Sequence, residues 1–135
     1  MIDPAKQRFR SECVDEFGCE FPRIHPEVEG RAHRMTWLTR GDLRALIALD
    51  AETGTKLEYE LPSGQWPGEP VFVPRAGGNP GNERDGHVLA LCHDDASDCA
   101  FVAVCDAARL EEGPVARVWF DHYVTTTFHG AWMPA

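Results

Sequence analysis

Leu43-Arg44-Ala45-Leu46-Ile47-Ala48-Leu49-Asp50-Ala51-Glu52-Thr53-Gly54-Thr55-Lys56-Leu57-Glu58-Tyr59-Glu60-Leu61 reads as a strand, a tight turn and a returning strand. Residues 43–49 are mostly apolar and stop at Asp50-Ala51-Glu52-Thr53-Gly54. In that turn Gly54 supplies a positive φ, and the Asp50 or Thr53 side chain caps nearby amides. Residues 56–61 then return as the paired strand. Upstream, residues 33–39 lead into the turn Arg40-Gly41-Asp42. Downstream, residues 69–74, 87–93, 100–105 and 115–123 are further extended segments, each bounded by Gly, Pro, Asn or Asp. Almost nothing carries a helical period. Antiparallel strands repeated at this spacing predict an all-β sandwich, barrel or propeller.

Two stretches depart from the pattern. Residues 75–86, rich in Gly, Pro and Asn, predict a mobile surface loop that serves as a plain connector. Residues 106–110 predict one helical turn with Asp106 as its N-cap, broken by Glu111-Glu112-Gly113-Pro114.

Bulk properties narrow the function. At 135 residues with 43% hydrophobic residues, the chain is long enough to form a core. A formal charge of -9 without a compensating basic cluster argues against binding a phosphate backbone. No apolar run is long enough to span a membrane, and the N-terminus has no signal core. A soluble cytoplasmic protein is the default expectation. Peripheral contact with membranes stays compatible with it. The five cysteines, Cys13, Cys19, Cys92, Cys99 and Cys105, form no Cys-x-x-Cys pair, and an odd number does not suit a closed disulfide framework. Cys92 and Cys105 lie in apolar runs and read as small core residues.

The six histidines contain no His-x-His or His-Glu-x-x-His arrangement. His87 and His93 share a strand face, but about 3.3 Å per residue puts them roughly 20 Å apart, too far to hold one ion. His25, His33 and His122 read as surface or hydrogen-bonded residues. Spacing alone does not single out His129.

A set of ordered blocks does. Cys19-Glu20-Phe21-Pro22-Arg23-Ile24, Gly30-Arg31-Ala32-His33-Arg34, Glu69-Pro70-Val71-Phe72-Val73-Pro74-Arg75, Asp85-Gly86-His87-Val88-Leu89, Asp106-Ala107-Ala108-Arg109-Leu110, Gly113-Pro114-Val115-Ala116-Arg117-Val118 and Thr127-Phe128-His129-Gly130 stand in this order. Together they resemble the closing segments of the carotenoid oxygenase family. The likeness covers residues 18–134, which reads as residues 1–17 being a lead-in and 18–135 a partial domain.

The resemblance implies a seven-bladed β-propeller, of which this chain holds about two blades. It also implies a non-haem Fe(2+) bound by four histidines, with three glutamates accepting their outer N–H groups. His129 falls on the last of the four histidines; Glu69 and Glu20 fall on two of the glutamates. Neutral imidazoles suit Fe(II), and carboxylates that accept the other ring N–H fix the rings and offset the ion's charge. Glu69 should therefore lie beside His129, with Glu20 facing the same side. Arg23 or Arg31 pairing with Glu20 at the surface is the competing account of that residue. Phe128 is expected to pack and Gly130 to permit a tight backbone path. Thr125, Thr126 and Thr127 line a cavity or sit on a solvated β edge.

By the same resemblance, the intact enzyme cleaves a carbon–carbon double bond of a carotenoid, apocarotenoid or stilbene-like substrate with O2. The other three histidines and the third glutamate belong to a preceding propeller portion that 135 residues cannot hold. The chain thus reads as a fragment, inactive alone, marginal or aggregation-prone because its strand edges are open. The alternative is a non-catalytic β-rich interaction module, or decayed remnant, that binds no iron. A cupin-like barrel would need clustered His-x-His ligands, which the sequence lacks.

Overall fold

A computed structural model describes residues 2–133 except 12, 14, 15, 80 and 126, so Pro80 and Thr126 lie outside the described residues. The strands are β1 (Ile2–Asp3), β2 (Arg8–Phe9), β3 (Cys19–Arg23), β4 (Met35–Arg40), β5 (Ala45–Asp50), β6 (Lys56–Glu60), β7 (Gln65–Pro74), β8 (Gly86–Asp94), β9 (Cys99–Asp106) and β10 (Pro114–Trp119). β1 and β2 make a two-stranded ribbon in the lead-in. The rest form two four-stranded antiparallel meanders, β3-β4-β5-β6 and β7-β8-β9-β10. All-β architecture in about two blades is what the sequence predicted.

The turn between β5 and β6 forms as its chemistry requires. Asp50 Oδ1 accepts the amides of Glu52 at 3.0 Å and Thr53 at 3.3 Å, and Gly54 has φ 70°. Asp50 is buried and also takes Arg34 in a bidentate pair, with Nε–Oδ1 at 2.9 Å and Nη2–Oδ2 at 2.6 Å. The Arg34 hydrogen bond, reinforced by the turn amides, holds the Asp50 carboxyl far below the usual carboxylate range.

The core lies between the two meanders. In β8, Val88, Ala90 and Cys92 are buried and alternate with half-buried Leu89 and Leu91, so one face of the sheet is sealed and the other is not. Trp37 of β4 stacks on Phe72 of β7, with ring centroids 4.4 Å apart and planes at 23°. That pair joins the sheets, and each such buried side chain contributes roughly 1.5–3 kcal/mol. Cys92 and Cys105 are buried as expected, and burial pushes their thiols up to about 12 and about 11.

Several local expectations are corrected. β7 begins at Gln65, four residues before the expected start, because a register shift between Pro67 and Pro70 lets the strand carry these two prolines in its interior. β3 was not foreseen as a strand; it contains Pro22 and a second irregularity between Glu20 and Arg23. β10 ends at Trp119 rather than 123. The helical turn is a 3-10 turn at Leu110–Glu112, and Asp106, the last residue of β9, instead caps the Ala108 amide at 2.9 Å. Gly113 closes that turn at φ 81°, where a Cβ would stand 2.6 Å from the Tyr59 ring of β6. Residues 75–86 are no free connector. Arg75 pairs with Asp85 at 2.8 Å, and the Glu83 carboxylate accepts the Arg34 and Met35 amides at the start of β4.

Candidate functional site

Glu69 sits in the middle of β7, inside the irregularity between Pro67 and Pro70, and its side chain is only 5% exposed. A carboxylate in that position needs donors, and three converge on it. Gly130 donates its amide to Oε2 at 2.8 Å. His129 Nδ1 lies 3.3 Å from Oε1, and Arg23 Nε 3.4 Å from the same oxygen. The carboxylate accepts, so the proton of the His129 contact belongs to Nδ1, and a neutral ring in this orientation carries its lone pair on Nε2. That is the tautomer of a ligating histidine held by a carboxylate. The expected Glu69–His129 pairing is present.

Other groups shape the position of the ring. Phe21 of β3 meets the His129 imidazole edge-on, with centroids 5.8 Å apart and planes at 88°, and also approaches Phe128 at 6.2 Å. Phe21 has φ 56°, a left-handed backbone that costs an aromatic residue on the order of 1–3 kcal/mol. It lies inside the irregularity of β3, which re-aims the side chains that follow. The segment after β10 crosses the unsealed face of the second sheet. There Val71, Leu89, Leu91 and Val102 line a groove of about 160 Å³ together with Thr127, His129 and Trp132.

Not every expected residue joins. Glu20 is exposed and makes no side-chain hydrogen bond or ion pair among the described residues; Arg23, one candidate partner for it, pairs with Glu69 instead. Phe128 touches Phe21 yet remains 73% exposed, so it does not pack as expected. Gly130 has no positive φ, and a Cβ there would meet only Val71 at 3.7 Å. Its contribution is its backbone amide and carbonyl, not a tight path. Thr127 borders the groove, while Thr125 is exposed beside a smaller neighbouring cleft. His25 is buried, accepts the Glu27 amide at Nδ1 and lies against Phe72. His33 and His122 are exposed.

Among the described residues, no three His, Cys, Asp or Glu side chains gather into a metal-holding group. The described residues therefore offer a single oriented imidazole at this face, which by itself does not make a metal site. Among the described residues no helix is long and apolar enough to cross a membrane.

The two four-stranded meanders have a counterpart among known proteins. The family model described as retinal pigment epithelial membrane protein, RPE65, matches residues 1–134. The chain belongs to this family, the carotenoid oxygenases. It is 29% identical to apocarotenoid-15,15'-oxygenase of a Synechocystis species over 97% of this chain and 28% of that protein. It is 34% identical to torulene dioxygenase of Fusarium fujikuroi over 86% of this chain and 20% of that protein. Cobalt-substituted Synechocystis apocarotenoid oxygenase superposes with a TM-score of 0.91 at 28% identity, covering 99% of this chain and 29% of that one. The chain thus spans between a fifth and a third of the length of these relatives.

Proposed function

We propose that this chain is the C-terminal portion of a non-haem Fe(II) dioxygenase that cleaves a C=C bond of a carotenoid, apocarotenoid or stilbene-type substrate with O2. Family membership supports an oxygenase role, and the relatives named above are apocarotenoid and torulene oxygenases. The observation that carries the reading is the Glu69–His129 contact, which engages Nδ1 and turns Nε2 of a solvent-facing imidazole away from the carboxylate. Iron bound there would supply the activation of dioxygen toward the double bond.

The chain's own residues prepare one ligand. Glu69 accepts the Nδ1 proton, sets the tautomer and brings negative charge near the metal position. Phe21 limits rotation of the ring, and the half-buried valines and leucines beside it offer an apolar wall to a polyene or stilbene. Glu20 is reserved for a histidine supplied by the preceding propeller portion, along with the other two ligands. One imidazole binds Fe(II) weakly, so the chain alone retains no stoichiometric iron and cleaves nothing. The same reading carries a cytoplasmic location, with any membrane contact confined to the surface.

The test uses a full-length relative bearing this C-terminal segment. There His129→Ala should abolish both iron retention, read by metal analysis after anaerobic purification, and substrate cleavage, read by oxygen uptake. Near-equimolar iron in the 135-residue chain, lost on His129→Ala, would overturn the division of labour.

A second reading has its own support. Glu69 also bonds Gly130 and Arg23, contacts sufficient to make it a structural tie in a β-rich interaction module without iron. A monomer at low micromolar concentration with a sharp cooperative melt would favour that module.

A further inference from the structure

Residues 121–133, where described, contain no strand or helix, yet this is the segment that carries His129. A ligand-bearing segment without a hydrogen-bond ladder must be fixed some other way, since an unladdered backbone otherwise opens freely. The contacts that fix it converge on one peptide group. The Gly130 amide donates to Glu69 Oε2 at 2.8 Å, and the Gly130 carbonyl accepts from Arg23 Nη2 at 2.5 Å. Arg23 Nε in turn lies 3.4 Å from Glu69 Oε1. Glu69, Gly130 and Arg23 therefore form a closed ring of contacts, with His129 attached to it through Oε1 at 3.3 Å.

We infer that Arg23 is a positioning residue, which holds His129 in register by gripping the Gly130 peptide from the side opposite Glu69. The inference rests on the proposed role of His129 and adds a residue to it. Three observations carry it beyond ordinary charge neutralisation. The guanidinium uses two different nitrogens for two different partners, a division that its planar fork permits and an ammonium does not. Arg23 ends β3, directly after the irregularity that begins at Glu20, so the strained backbone at Phe21 delivers two side chains to the same segment. Phe21 meets Phe128 and His129, while Arg23 meets Gly130. Finally, Arg23 and Gly130 are 107 residues apart, so the contact ties the first strand of one sheet to a tail lying across the other.

Amide hydrogen exchange on the 135-residue chain tests this, together with NMR relaxation of the His129 ring carbons. Arg23→Gln removes the charged hydrogen bond on the Gly130 carbonyl, so the Gly130 amide, still bonded to Glu69, should exchange about tenfold faster as the segment opens more often. The His129 ring should become more mobile, while the amides of Val88 and Leu46 keep their protection. Arg23→Lys should not rescue Gly130, because its single nitrogen on a shorter side chain does not reproduce the two-nitrogen fork. Full rescue by Lys would reduce Arg23 to a neutralising charge and overturn the proposal, as would unchanged exchange in a folded Arg23→Gln. If that variant does not fold, the unmodified chain decides: Arg23 guanidinium protons protected from water and close to Gly130 support the clamp, and freely exchanging ones overturn it. Unchanged exchange in Arg23→Gln, alongside iron loss on His129→Ala in the full-length relative, would sink the clamp alone. The converse pattern would sink the proposed function alone.

Discussion

The two faces of the second sheet are finished to different degrees. Toward the first sheet, Phe72, Val88, Phe101 and Cys105 are essentially closed to solvent and pack with Trp37 and Leu46. On the opposite face, Val71, Leu89, Leu91 and Val102 are only half-buried, and the tail above them leaves Phe128 73%, Trp132 52% and Met133 84% exposed. The first face is a completed interior. The second is prepared: it has an oriented imidazole, a buried carboxylate with three donors and an apolar groove, and it leaves the imidazole and the groove open. Stability and the capacity for chemistry therefore reside on opposite sides of the same strands.

Substitutions can test that separation. Trp37→Ala should cost about 3–5 kcal/mol, because it removes the large ring stacked between the sheets and leaves a cavity; urea denaturation would measure it. Glu69→Ala should cost less, about 1–3 kcal/mol, by leaving the Gly130 amide and Arg23 without their acceptor, and the loss should register mainly as faster exchange in residues 127–132. Asp50→Asn probes the first sheet at its turn. The folded Asp50 carboxyl titrates far below its unfolded value of about 3.9, so its stabilisation is complete above that pH and fades as pH falls further. The urea midpoint of Asp50→Asn should accordingly lie below that of the parent chain at neutral pH, with the gap narrowing below about pH 4. His129→Ala should move stability least, within about 0.5 kcal/mol, since its ring is mostly exposed. A larger loss would mean that the prepared face also supports the fold.

The parts of the fold legible in the sequence were those written by neighbours in the chain. The Asp50–Gly54 turn was readable because its capping atoms and its positive φ lie within five residues. β8 was readable because alternate residues seal one face. The start of β7 and the whole of β3 were hidden by Pro67, Pro70 and Pro22, which normally argue against a strand and are accommodated here by register irregularities. The loop of residues 75–86 looked free because its anchor, Glu83 on the Arg34 and Met35 amides, joins residues almost fifty positions apart. The site was harder still. Glu69 and His129 are separated by 60 residues, and no local periodicity records such a pair; only the ordered family blocks pointed to it. Arg23 carried no signal beyond its place in one of those blocks, because its task lies in a carbonyl contact that any residue's backbone could offer.

The meander connectivity has a consequence for the order of assembly. Each four-stranded sheet pairs only strands adjacent in the chain, so its loops are short and inexpensive to close. The contacts that hold the tail onto the prepared face span 60 to 108 residues and require both sheets to be standing first. During refolding, Gly130 should therefore acquire protection after Val88 and Leu46, which pulse-labelled exchange can time. The imidazole would then be the last group set in place, after the core is complete.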